Sequence, residues 1–234
     1  MFVARIAKDP VVLSYLALRK AVGGVALLLP FAMAIPWWFL GHDALESSIS
    51  GYYYTGMRNL FVGSLCAISM FMLCCRGYDR KDEIAGIFSA VCALGVAFLP
   101  TTPDYSATPQ QRHIGWAHYT FAALLFSTLA YFCLMLFKMS AENREVTRQK
   151  IQRNLVYTVS GWAIIVSMIM IAILKLRNVS HLPLNIPTNF FFESTSLIAF
   201  GFAWLIKGEM ILKDKNPEPS ITKTTDGHIM ISRP

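Results

Sequence analysis

Charge is what this sequence has least of. Asp, Glu, Lys and Arg together supply 15% of its 234 residues, against about a quarter in an ordinary soluble domain. That is too little to wet a globular surface. Acids are the scarcer sign, 14 against 21 Lys and Arg, for a formal net charge of +7. A basic surplus can attract nucleic acid when it clusters on one face. Here the cations sit in turns between apolar runs, a placement that membrane topology explains, so no nucleic-acid partner is expected.

Loop cysteines are missing too. Cys66, Cys74, Cys75, Cys92 and Cys133 all lie inside apolar runs. An odd count with none in a polar loop excludes a disulfide framework. They read as small packing residues, with acylation of Cys74 and Cys75 at the end of a span as the alternative. No internal repeat is visible, which argues against the inverted-repeat transporters.

What is present is apolar: 55% hydrophobic residues and a mean hydropathy of +0.47, gathered in blocks near the ~20 residues that cross a bilayer as a helix. The stretch from Ser48 to Pro103 sets the frame. A polar, tyrosine-rich loop (48–56) leads into an apolar run (59–75), a charged turn (76–83), a second apolar run (84–100) and a Thr-Thr-Pro exit. Two spans joined by a short turn holding Arg76, Arg80 and Lys81 form a membrane hairpin whose turn is cytoplasmic, because Lys and Arg in short loops resist translocation.

The remaining spans follow. Asp9-Pro10 is a helix start. Arg19 and Lys20 cost roughly 2.5–3.5 kcal/mol each in mid-bilayer, so the first span is placed at 21–40, with a kink at Pro30 and Trp37-Trp38 at the far interface. Ala32-Met33-Ala34 imitates a signal-peptide cleavage site, but the run continues through Leu40 as a full span. Further spans are expected at 113–137, 155–174 and 190–212, with a charged cytoplasmic segment at 138–154 and a polar, largely disordered tail from Lys213. This arrangement leaves only Arg58, Arg112, Lys175 and Arg177, of the 21 Lys and Arg, on the outer side. The expected fold is therefore all-α: a polytopic membrane bundle of six transmembrane helices over residues 1–212, with both termini cytoplasmic, followed by a tail at 213–234.

Helices associate in lipid through small residues. Gly86, Ala90, Ala93 and Ala97 form such a seam on the third span, Gly63 and Ala67 on the second, and Gly23, Gly24 and Ala26 on the first. These three are expected to make a tight inner bundle. On the fourth span His113, Thr120 and Ser127 share one helical face. They face the bundle or a wet cavity, unless the hydroxyls bond back to their own helix.

With that sidedness the unusual residues collect outside. His42, His113, His118 and His181 fall at the outer ends of spans, with Asp43, Glu46, Asp104 and Glu193, and with Tyr52, Arg58 and their neighbours around them. The candidate ligand-binding set is Arg58, His113, His118, Glu193, Asp43, Asp104, Tyr52 and His181. Glu193 stands about one turn inside an apolar helix, where a carboxylate must pair, meet water or protonate. Arg58, His113 and His118 are the partners considered. His113 and His118, five apart, point about 140° apart on a helix and cannot share one ion within it, so zinc is the lesser alternative and no cofactor is expected. Tyr52, Tyr53 and Tyr54 read first as an interfacial belt. Asn178-Val179-Ser180 is a glycosylation acceptor only on a eukaryotic secretory route.

The Ser50-to-Gly63 segment SGYYYTGMRNLFVG, the Arg76-Gly-Tyr-Asp turn, the VAFLPTTP exit and the span 113–137 together resemble a family of uncharacterised bacterial multi-pass membrane proteins. The likeness covers about residues 47–137 and implies a bacterial inner-membrane location without an activity. Three functions are compatible with these observations. The first is an outward polar pocket that binds a small amphiphile or lipid headgroup, in a sensing, accessory or transport role. The second is a metal-dependent, membrane-embedded lipid hydrolase similar to the alkaline ceramidase and progestin-receptor superfamily. That resemblance implies seven spans and a pair of histidines four apart in the last, which this chain lacks. The third is a structural or assembly partner. Membrane lipids are the expected surroundings in each case, and no feature specifies an oligomeric state.

Overall fold

The computed structural model describes residues 16–74, 80–139 and 148–210, with the backbone of 10–15, 220–223 and 229–232. The turn at 75–79, including Cys75 and Arg76, the loop at 140–147 and most of the tail lie outside the described residues. Among the described residues six long helices make up the body: α1 (Pro10–Phe39), α2 (Arg58–Cys74), α3 (Arg80–Phe98), α4 (Pro109–Leu134), α5 (Arg148–Leu176) and α6 (Thr188–Lys207). A two-residue antiparallel pair, β1 (His181–Leu182) with β2 (Ile186–Pro187), punctuates the loop before α6. In the tail, β3 (Ser220–Lys223) pairs antiparallel with β4 (Ile229–Ser232).

The helix boundaries follow local chemistry. α1 starts at Pro10 and continues through Pro30 and Pro36. α4 starts at Pro109, four residues before the expected position. Thr108 accepts from the Gln111 backbone amide while the Gln111 side chain accepts from the Thr108 amide, a reciprocal cap with proline at the first helical position.

Each helix packs against its neighbour in sequence, and α6 returns to α1, closing a ring of six. The ring's centre is filled. Leu29 and Met33 of α1, Leu65 and Met72 of α2, Leu125 and Phe132 of α4, Ile164 of α5 and Phe200 of α6 are all buried in one cluster. Near one end, the Trp204 ring packs against Phe137, Phe200 and Phe132 at centroid distances of 4.9, 5.1 and 5.3 Å.

Two seams hold the ring. On α3, Gly86, Ala90, Ala93 and Ala97 are buried as the small-residue pattern predicts, with Ser89 buried beside them, and the Ser69 hydroxyl of α2 donates to the Ala90 carbonyl at 2.9 Å. The tighter seam joins α1 to α6. A Cβ on Gly23 would lie 2.9 Å from the Gly201 carbonyl oxygen, and one on Gly201 would lie 2.7 Å from the Leu27 nitrogen. Gly23 thus serves ring closure with α6 rather than an inner bundle of the first three helices. Gly24 and Gly63, grouped with the packing glycines by sequence, face open space.

Leu16–Phe39, Pro109–Lys138, Arg148–Leu176 and Thr188–Lys207 are long and apolar enough to cross a membrane. α2 is 17 residues long, and α3 opens with Arg80, Lys81, Asp82 and Glu83. All six helices nonetheless carry exposed apolar side chains on their outer faces, among them Phe31 of α1, Met70 of α2, Val91 of α3, Leu124 of α4, Val166 of α5 and Phe202 of α6. The polar stripe of α4 belongs to this outer face, and of the two readings left open for its hydroxyls the back-bonded one holds. His113, Thr120 and Ser127 are exposed, and the two hydroxyls donate to Trp116 and Ala123 carbonyls at 3.0 and 2.7 Å. Back-bonding satisfies them within their own helix, so the stripe needs no wet cavity.

Candidate functional site

Three connections meet at the end of the ring where α1, α3 and α5 finish and α2, α4 and α6 begin: residues 40–57, 99–108 and 177–187. The first folds back on the helices. Gly41, at φ +90°, makes the reversal that an L side chain resists. The Trp37 indole then donates to the Ala44 carbonyl at 3.0 Å and stacks on His42 at 3.5 Å between centroids.

From Ser48 the chain turns into the ring's mouth. Ser48, Ile49, Ser50 and Tyr52 are buried, Tyr52 completely. The Ser48 hydroxyl accepts from the Gly51 amide at 2.9 Å, and residues 50–54 form a single 3₁₀ turn. Glu193 caps that turn. Its carboxylate accepts from the Ile49 amide at 2.8 Å, with the Ser50 amide facing the same group. A helix-borne carboxylate thereby supplies the acceptor that the turn's free amides require, 144 residues away in sequence. Close by, the Phe190 amide donates to the Ser47 carbonyl at 3.1 Å. The Tyr52 ring sits edge-on to Trp37 at 5.6 Å and near Phe190 at 6.3 Å. Burial pushes the Tyr52 phenol up to about 12.

The second connection is tied in by hydroxyls and one imidazole. Tyr54 donates to the Thr101 carbonyl at 2.6 Å, and the Thr101 hydroxyl meets Tyr119 at 3.1 Å. His118, 2% exposed, lies 2.6 Å through Nδ1 from the Leu99 carbonyl. A carbonyl only accepts, so the proton is on Nδ1. Gly115 lets the chain lie close, because a Cβ there would meet the Thr102 amide at 2.8 Å. In the third connection Thr188 is bound to the Ser180 and Val179 carbonyls at 3.0 and 3.1 Å.

The eight residues singled out by sequence therefore separate. Glu193, Tyr52 and His118 are built into the joints of the mouth. Arg58, at the start of α2, donates to the Tyr53 hydroxyl at 2.6 Å with its guanidinium 4.3 Å over the same ring, while Glu193 holds the Ile49 amide. His113, Asp104 and His181 are exposed. Asp104 and His42 reach Glu46 electrostatically, and the Glu46 carboxyl titrates above its ordinary value, first from burial and then from Asp104. Asp43 lines a groove of about 390 Å³ with Ala34, Ile35, Trp37, Trp38 and His42.

The groove's lining is apolar at Ala34, Ile35 and Leu45, with Trp37, Trp38, His42 and Asp43 beside them. Among the described residues no three His, Cys, Asp or Glu side chains come together as metal ligands. No family model, curated protein or solved structure matches the chain. Sequence reasoning missed the inward turn at 48–52, whose signal was a lone apolar residue, Ile49, between two serines. It also passed over Trp37 as more than an interfacial marker.

Proposed function

We propose that the protein is a six-span integral membrane protein of the bacterial inner membrane, with both termini cytoplasmic, that binds an amphiphile or lipid headgroup on its outer side in the groove beside the 40–57 connection. The observation that carries this reading is the groove itself. Ala34 and Ile35 offer a surface for a tail, and Trp37, Trp38, His42 and Asp43 stand one turn further on, at the level where indoles favour the membrane interface. Exposed apolar side chains on all six helices support six crossings, including those of α2 and α3. The resemblance of residues 47–137 to bacterial multi-pass proteins supports the compartment.

Of the residues chosen from sequence, Asp43 contacts the headgroup in this reading. Tyr52 packs against Trp37 of the groove, Glu193 holds the turn that carries Tyr52, and Arg58, His113, His118, Asp104 and His181 stand outside the groove. The hydrolase reading lacks an assembled donor set among the described residues.

A photoactivatable phospholipid tests the groove. Crosslinks are expected to concentrate in peptides spanning Ala34 to Leu45, and the Trp38→Ala, Asp43→Asn double variant is expected to lower their yield about tenfold, as loss of one aromatic contact and one charged hydrogen bond implies. Crosslinks spread evenly over all exposed helix faces, unchanged in the variant, would remove the site. Zinc found in stoichiometric amount in purified protein would favour hydrolysis instead.

A further inference from the structure

The groove beside the 40–57 connection has a sign. Its lining contains the Asp43 carboxylate and neither Lys nor Arg, and among the described residues that carboxylate has no hydrogen-bond or ion-pair partner. Glu46, one residue past the lining, is partly buried and lies within electrostatic reach of His42 in the lining and of Asp104 in the second connection. Cations at this end of the ring are engaged elsewhere. Arg58 is committed to Tyr53, and Lys175 of α5 lies 4.4 Å over the Tyr119 ring.

The aromatic part of the lining suits the same sign. Ala34 and Ile35 precede Trp38 by four and three residues on α1, so the three share one helical face. Trp38 is 66% exposed, and an open indole face attracts a cation. Trp37 leaves less of its ring free, because His42 lies flat against it, 3° from parallel, and Tyr52 packs on it as well. An apolar strip, an open indole and an unpartnered carboxylate thus occupy one groove. A cation on an apolar stem finds a partner at each of them, whereas an anionic headgroup meets Asp43 and the like field of Glu46 and Asp104.

We infer that the groove selects a membrane lipid whose headgroup ends in an ammonium group, with the ammonium held by the Trp38 ring and the Asp43 carboxylate and the chain along Ala34 and Ile35. This rests on the groove being the binding site and adds the charge of its ligand. The occupant comes from the bilayer, because Ile35 and Trp38 stand exposed on a helix that lipid surrounds. Its phosphate stays in water, since no basic side chain in the lining receives it.

Two photoactivatable lipids that differ only in headgroup, a phosphatidylethanolamine and a phosphatidylglycerol, test this on the full chain in a neutral detergent. At low salt the ethanolamine probe is expected to label peptides spanning Ala34 to Leu45 about tenfold more than the glycerol probe. Raising the salt is expected to narrow that ratio, because the charges are exposed. Asp43→Asn is expected to lower ethanolamine labelling about fivefold without lowering glycerol labelling, while Asp43→Glu keeps the preference. Equal labelling of these peptides by both probes, or a full preference in Asp43→Asn, would leave the groove in place and overturn its selectivity for ammonium. Labelling by both probes spread evenly over the helices would remove the groove itself, and the inference with it.

Discussion

Replacing Gly201 by alanine is expected to loosen the whole ring, whereas the same change at Gly24 is expected to leave it intact or slightly firmer. At Gly201 the new methyl meets backbone: the Leu27 nitrogen at 2.7 Å, the Gly23 carbonyl oxygen at 2.8 Å and the Leu27 Cβ at 2.9 Å. Two of these contacts belong to the α1 main chain and cannot rotate away, so the helices must separate along the seam that closes the ring. Overpacking of this kind costs on the order of 3 kcal/mol. At about 2–4 °C per kcal/mol for a chain of this length, the unfolding temperature falls by ~10 °C. Gly24, one residue along, has nothing within 4 Å of its Cβ position. There alanine only improves helix propensity, by about 0.5–1 kcal/mol. Thermal unfolding in detergent, followed by loss of monodispersity, compares the two directly. Equal effects would mean that α1 and α6 do not touch as described.

The second large effect concerns Glu193. Glu193→Leu removes the acceptor from the Ile49 amide and leaves a donor unpaired in the mouth of the ring, at a cost of about 1–3 kcal/mol. The turn at 48–52 is then expected to open more often. A cysteine introduced at the buried Ser48 reports this, since its labelling rate scales with the open population. Glu193→Leu is expected to raise that rate ~30-fold, the equivalent of about 2 kcal/mol. Glu193→Gln keeps a carbonyl oxygen as acceptor and is expected to raise it only a few-fold. A Glu193 devoted to a ligand rather than to the turn would leave labelling at Ser48 unchanged in both variants.

Much of this architecture is legible in the residues, and the reasons for the rest are physical. Helix positions follow from apolar runs bounded by cations, and α1 begins at Pro10 as the Asp-Pro pair predicts. The seam on α3 is visible because small residues recur at helical spacing. What spacing does not reveal is which face meets which neighbour. Gly23 and Gly24 are adjacent, yet one touches α6 and the other touches nothing. Polarity alone leaves two readings open at Thr120 and Ser127, and the structure shows the one in which each hydroxyl bonds to its own helix. For Glu193 the sequence correctly demands a partner but suggests side chains. Backbone amides carry no letter in the sequence, and the turn that presents them is 144 residues away. The start of α4 was readable in Thr108-Pro109-Gln110-Gln111, a capping signature that the apolar pattern beginning at His113 obscured.

The central claim is that all six helices cross the membrane, including the 17-residue α2 and α3 with its four charged leading residues. If only the four longer apolar helices crossed, the connection between α2 and α3 would lie on the same side as Asp104. Single cysteines at Arg80 and at Asp104, in a background without the native thiols, separate the two arrangements when intact cells are treated with a membrane-impermeant maleimide. The six-span account requires labelling at position 104 from outside and labelling at position 80 only after the membrane is opened. Labelling of position 80 in intact cells would contradict it.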